Sequence, residues 1–340
     1  MPHLVAALDK FRGTASAVEV CAAAAGAARR AGWTADEIPM SDGGEGLLEA
    51  VGGTARATSV PGPLGAPTGA EWRLLPARPG QPLTAVVEMS RAAGRALLPQ
   101  PRGDEPVSAD TTGVGHLLLA ARAAGARRIV IGCGGSATTD GGWGAVQAVG
   151  SPAALAGTEL VVACDVTTAF GEAAAVFGPQ KGASPAQIRV LSDRLGALAE
   201  HYRLEYAVDV DALPGAGAAG GLAGGLAALG ARIVPGFDLV ADMNGLAERM
   251  AGADLVVTGE GHLDPPSFQG KVPGGVLALA GGRGPVLCLV GAADQALLDH
   301  PPAGLEIVSL TERFGPERAR AETAALVGVV TAEVLARPPG

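Results

Sequence analysis

Short apolar runs, Ala-rich helical stretches and glycine-bearing loops alternate along this chain. The run Leu4–Leu8 ends at Asp9 and reads as a buried strand. Ser16 then opens a helix over 16–31, rich in alanine. A second strand over 36–40 leads into Ser41-Asp42-Gly43-Gly44-Glu45-Gly46 and a helix over 47–51. From 54 to 105 the text turns Pro- and Gly-rich, with strands only at 70–75 and 84–88. A helix over 113–124 and strands over 128–132 and 159–164 follow, then a helix over 184–200, a strand over 205–209 and a Gly/Ala stretch over 215–230. Simple alternation returns at the end: strands at 253–258, 286–290 and 306–310, helices at 272–280, 294–299 and 316–336. The first and last regions together supply five strands. The pattern therefore predicts two α/β domains: a discontinuous doubly wound parallel domain, 1–53 plus 237–340, and an inserted second domain, 54–236. The loops after Leu8, Met40, Thr258 and Val290 should share the carboxyl edge of the first sheet, where such sheets bind ligands.

Composition narrows the class. Of 340 residues 48 % are hydrophobic and 17 % charged, enough apolar surface for a large core. The formal charge of −9, with no basic run, speaks against nucleic acid as partner. No apolar stretch is long enough for a membrane span, and the N-terminus does not read as a signal peptide. Four scattered cysteines fit reduced thiols and a cytoplasmic setting. The 25 basic residues divide into 22 Arg and three Lys, and Lys10, Lys181 and Lys271 all lie beside glycine-bearing loops. A compact ammonium suits a phosphate where a guanidinium fork is too large.

Four loops carry candidate chemistry. In Ser41–Gly46, Gly43 and Gly44 allow backbone N–H groups to face an anion, while Asp42 and Glu45 could hold Mg²⁺ or substrate hydroxyls. A tight turn with helix-favouring acids is the simpler alternative. The 132–142 segment adds Gly135, Ser136, Thr138 and Asp140 in a hydroxyl-rich turn suited to phosphate oxygens, without a Walker sequence. Asp165, at the end of an apolar strand, could serve as general base, metal ligand or turn cap. Glu260 and Asp264 form another acidic loop, followed by Lys271. Gly215-Ala216-Gly217-Ala218-Ala219-Gly220 fits Gly-x-Gly-x-x-Gly but lies away from any simple βαβ unit. A tightly packed helix start, or a wall for nucleotide phosphates at Gly217, suits it better than a dinucleotide site, and an NAD-dependent oxidoreductase is the weaker alternative. Gly/acid loops and loop lysines without hydrolase or redox signatures point to phosphoryl transfer.

In order along the chain, Asp9-Lys10-Phe11-Arg12-Gly13, Ser41 to Gly46, Gly134 to Gly142, Asp165-Val166-Thr167, Phe177 to Ala183, Pro214 to Leu222 and Thr258-Gly259-Glu260-Gly261 resemble the bacterial-type glycerate kinase family. The resemblance implies a flavodoxin-like domain and a restriction-enzyme-like mixed-sheet domain, with the site in a cleft between them. It further implies ATP as donor, Mg²⁺ as cofactor, D-glycerate as substrate and 2-phosphoglycerate as product, in a monomer or homodimer. On that basis Asp165, Asp42 and Lys181 are the expected catalytic residues. Lys10, Arg12, Ser41 and Glu45 are expected on glycerate, with Arg12 and Lys10 on its carboxylate. Gly43, Gly44, Gly135, Ser136, Thr138, Asp140, Gly217, Glu260 and Lys271 are expected on the nucleotide, and Asp42, Glu260 and Asp264 on the metal. The family's first loop usually reads Asp-Ser-Phe-Lys-Gly, so Lys10 and Arg12 depart from it, as do Thr168-Ala169-Phe170, His262 and Pro266 in later loops. These departures admit reduced activity, a different hydroxy acid or a noncatalytic small-acid sensor, and the sequence leaves 3-phosphoglycerate open as product.

Overall fold

The computed structural model describes residues 1–77, 80–98 and 103–337. Its strands are β1 His3–Leu8, β2 Thr34–Glu37, β3 Thr54–Pro61, β4 Pro67–Leu74, β5 Thr84–Glu88, β6 Arg128–Gly132, β7 Glu159–Cys164, β8 Arg232–Pro235, β9 Leu255–Leu263, β10 Val286–Ala293 and β11 Leu305–Ser309. They form two sheets. Packing divides the chain into a first unit, Met1–Asp42, Glu49–Val51 and Gly236–Gly340, and a second, Gly43–Leu48 and Gly52–Pro235. Residues 43–48 thus pack with the second unit, whereas the strand rhythm placed them in the first.

The first unit's sheet is wholly parallel, in the order β11-β10-β9-β1-β2. Counted within the unit, its strands run 2-1-3-4-5, the flavodoxin-like doubly wound order, with the switch point between β1 and β9. Leu4, Ala6 and Leu8 of β1 and Val257 of β9 pack against Val20, Cys21 and Ala24 of the helix Ala17–Arg30. Each fully buried Leu or Val side chain contributes roughly 1.5–3 kcal/mol. Ser16 and Glu19 close a capping box on that helix. The expected strand over 36–40 begins earlier, at Thr34, but Ile38 and Met40 still donate backbone hydrogen bonds to Ala6 and Leu8. Ser41 and Asp42 therefore emerge beside the end of β1.

The second unit's sheet is mixed, in the order β3-β4-β5-β6-β7-β8, antiparallel from β3 to β5 and parallel from β5 to β8. Its core centres on Tyr202, Phe170, Leu195 and Leu222. One expected strand is missing here. The helix Pro185–Glu205 runs through the start of the expected 205–209 strand, and Ala207 follows with φ 56°, so no strand forms. Edge strand β3 and short β8 were not foreseen. At the C-terminus, back in the first unit, the single expected helix over 316–336 is two, Pro316–Ala321 and Thr323–Leu335.

Candidate active site

The first unit gathers carboxylates at its switch point. Asp9 N donates to Gly259 O at 2.9 Å, which fixes Asp9 where β1 meets β9. Gly259 has to be glycine, since a Cβ there would collide with Leu289 O on β10. The buried Phe11 ring anchors the loop that follows, with Arg12 exposed beyond it. Asp9 is itself buried and accepts from Lys10 N at 2.6 Å. Lys10 Nζ lies 3.6 Å from Asp9 Oδ1 and 4.0 Å from Asp42 Oδ1. Burial pushes the Asp9 carboxyl up to about 7; Lys10 opposes the rise, and Asp42 and Glu260 add to it.

Glu260 sits near the end of β9, only 8 % exposed, and its Oε1 has no hydrogen-bond partner. Its pKa is raised by burial, against the pull of Ser267 and Lys271. Asp264 Oδ1 caps the turn Pro265–Phe268, accepting from Ser267 N at 3.0 Å and Ser267 Oγ at 2.8 Å, with Lys271 Nζ at 3.9 Å. His262 pairs with Asp294 at 3.2 Å, both exposed. The first unit thus assembles Lys10, Asp42, Glu260, Asp264 and Lys271, and adds Asp9. The sequence pattern does not single out Asp9, one acid among several at strand ends.

The second unit gathers glycines, hydroxyls and a lysine. Gly43 and Gly44 press against the end of β6 so closely that a Cβ at Gly132 or Gly134 would overlap their backbone. Several glycines here therefore serve loop-on-loop packing. The buried Glu88, at the end of β5, holds the helix start by accepting from Gly46 N at 2.8 Å and Leu48 N at 3.1 Å. A Cβ at Gly135, whose φ is 64°, would meet the Glu45 carboxylate. The loop is tied to its neighbour by Arg95 N to Gly135 O and Ala137 N to Ala93 O, both 2.9 Å.

Lys181 lies in a 3₁₀ turn, Pro179–Lys181, between the turn's start at Gly178 and left-handed Gly182. It is only 4 % exposed. Its Nζ donates to Thr138 O at 2.5 Å and Thr139 Oγ1 at 3.5 Å, and it makes no ion pair among the described residues. Burial lowers its pKa to about 7, with Asp140 opposing and Arg95 adding to the shift. Thr138 Oγ1 is buried without a partner.

Some expected residues have internal partners. The Asp140 carboxylate accepts from Thr111 Oγ1 (2.7 Å), Thr111 N (2.9 Å), Gly144 N (3.0 Å) and Gly142 N (3.2 Å), so it clamps the loop. Gly217 N donates to Thr168 O at 3.0 Å, and a Cβ there would overlap the 168–169 backbone. Asp165 stands exposed after β7, and Ser136 is buried within its loop. Tyr202 Oη, unforeseen, donates to Gly141 O at 3.0 Å. A lone tyrosine in a long helix gives no sequence signal of that bond.

Among the described residues no three His, Cys, Asp or Glu side chains converge as a metal site, and no helix is long and apolar enough to cross a membrane. The chain matches the Glycerate kinase family over residues 4–154 and 151–337. It is 37 % identical to the glycerate kinase of Halalkalibacterium halodurans, over 88 % of this chain and 89 % of the relative. Against glycerate 2-kinase of Escherichia coli K12 the identity is 38 %, over 82 % and 81 %. A crystal structure of a Salmonella typhimurium LT2 protein provisionally named glycerate kinase 2 superposes with TM-score 0.81 at 33 % identity, over 99 % of this chain and 98 % of that one. Sequence and fold agree across nearly the whole length, and the chain belongs to the glycerate kinase family.

Proposed function

We propose that this chain transfers the γ-phosphoryl group of ATP to D-glycerate, giving 2-phosphoglycerate and ADP. The observation that carries the reading is Lys181: a buried ammonium with no carboxylate partner is costly unless an anion visits it. The surrounding glycines and hydroxyls suit phosphate oxygens, and positioning with charge neutralisation is most of what phosphoryl transfer asks of a protein.

The second unit then holds phosphates through Lys181, Thr138, Ser136 and the backbone of Gly135, Gly43 and Gly44, with Asp140 and Gly217 shaping the loops. The first unit offers Arg12 and Lys10 to the glycerate carboxylate, and Ser41 and Asp42 to its hydroxyls. Lys271 and Glu260 complete the nucleotide side, and Glu45 supports the substrate. Asp165 accepts or orients the proton of the attacking hydroxyl. That oxygen bonds to the γ-phosphorus as the bond to the ADP oxygen breaks.

The unpartnered Glu260 Oε1 beside Asp42 fits Mg²⁺, which takes one or two carboxylates and keeps water and phosphate for its other ligands. When bound, the ion neutralises charge on the phosphates. Asp264, occupied as a cap, supports that loop. Four buried free cysteines favour a reducing, cytoplasmic setting.

The test is ADP release with D-glycerate and Mg·ATP, followed by ³¹P NMR of the product. Turnover with a secondary phosphate ester is the expected result. A primary ester would replace 2-phosphoglycerate by 3-phosphoglycerate as product. Turnover only with another hydroxy acid would replace the substrate, and glycerate binding without turnover would leave a sensor.

A further inference from the structure

Lys181 has three N–H donors and two acceptors, Thr138 O and Thr139 Oγ1. Nearby, on the same loop, the Thr138 hydroxyl is fully buried and unpartnered. The charged groups that bear on the ammonium are Asp140 and Arg95. Asp140 is engaged by four donors from Thr111, Gly142 and Gly144; it opposes the effect of burial on Lys181 without forming an ion pair with it. Arg95 follows the segment that bridges to Ser136, and its charge repels that of Lys181. Arg95 N donates to Gly135 O at 2.9 Å, which seats this residue on the same loop, and the spare Lys181 donor and the unpartnered Thr138 hydroxyl suit an anion.

We propose that Arg95 and Lys181 flank a single phosphate-binding subsite, completed by the Thr138 hydroxyl, and that phosphate entry is accompanied by uptake of one proton onto Lys181. The ligand class rests on the phosphoryl-transfer reading; Arg95 and the proton go beyond it. The balance is simple: the neutral amine takes a proton from solvent, and the resulting ammonium donates its third N–H to a phosphate oxygen. Burial holds the ammonium down to about 7, so near neutral pH a large share of molecules carry the amine. A phosphate alongside supplies the opposite charge that burial had removed.

The chain has only three lysines, so [ε-¹³C]lysine labelling yields three resolvable side-chain signals, assigned by K181M, K10R and K271R. In the free protein the Lys181 signal should titrate near neutral pH. Saturating inorganic phosphate should move its midpoint up by about one pH unit or more, a tenfold rise in proton affinity. R95A changes an exposed residue and should retain the fold. Removing its charge should raise the Lys181 midpoint in the free protein and weaken phosphate binding several-fold. A Lys181 signal that titrates in the ordinary lysine range, or one that phosphate leaves in place, would overturn the proposal. So would an R95A protein with unaltered midpoint and phosphate affinity. Turnover of D-glycerate with an unmoved Lys181 signal would sink the subsite and leave the kinase; a phosphate-linked shift without turnover would do the reverse.

Discussion

The two units handle buried charge in opposite ways. At the switch point of the first, Lys10 lies 3.6 Å from Asp9 and 4.0 Å from Asp42, Glu260 bears electrostatically on Asp9, and burial drives Asp9 and Glu260 toward the protonated form. In the second, one buried lysine stands among hydroxyls and carbonyls, and burial drives it toward the neutral amine. One region buries carboxylates, the other an amine. Each is poor as a stabilising arrangement, and groups with pKa values shifted in this way are common at functional sites.

The largest effect should come from cutting the carboxylate side. Glu260→Gln removes the carboxylate to which Mg²⁺ is proposed and should lower kcat by roughly 10²-fold or more while raising the Mg²⁺ concentration needed for half-maximal rate. A variant with unaltered Mg²⁺ dependence would break the assignment of cation to the first unit.

A second effect separates the units by pH. Asp9 binds its proton more tightly when folded than unfolded, so it lowers stability progressively as pH rises from about 4 to about 7. Lys181 binds its proton less tightly when folded, so its cost is full below about 7 and fades as pH rises toward 10. In urea melts across this range, Asp9→Asn should abolish part of the acidic-side decline, and Lys181→Met part of the alkaline-side recovery. Identical pH profiles for both variants and the parent would erase the contrast.

The smallest expected effect tests the scaffold alone. Tyr202→Phe deletes the hydroxyl that donates to Gly141 O and should cost about 1 kcal/mol in a urea melt, with a modest loss of rate through a looser loop. A rate loss as large as that of Glu260→Gln would give Tyr202 a part in the chemistry.

What the sequence made legible follows burial. Strands β5, β6 and β7 match the expected 84–88, 128–132 and 159–164, because strands with both faces covered read as unbroken apolar runs. Edge strand β3, Thr-Ala-Arg-Ala-Thr-Ser-Val-Pro, is exposed along most of its length and leaves no such run. The apolar alternation of Tyr206-Ala207-Val208 imitates a strand, yet it belongs to the unwinding end of a long helix. In the site, the loops were legible as glycine punctuation. Roles within them were not: nothing in Thr-Thr-Asp-Gly-Gly says that Asp140 will spend its oxygens on Thr111, 29 residues away. Nor does Gln-Lys-Gly say that Lys181 will be buried, since that depends on packing by residues distant in sequence.

The interleaving of the units along the chain has a consequence for synthesis. Every residue of the second unit has left the ribosome once Pro235 emerges. The first unit by then has β1, β2 and one covering helix, but not β9, the strand that sits against β1 at the sheet's centre. Domains fold as units during translation. The later-emerging unit should therefore complete its fold first, and the first-made strand pair waits, half covered, for more than two hundred residues before its central partner arrives.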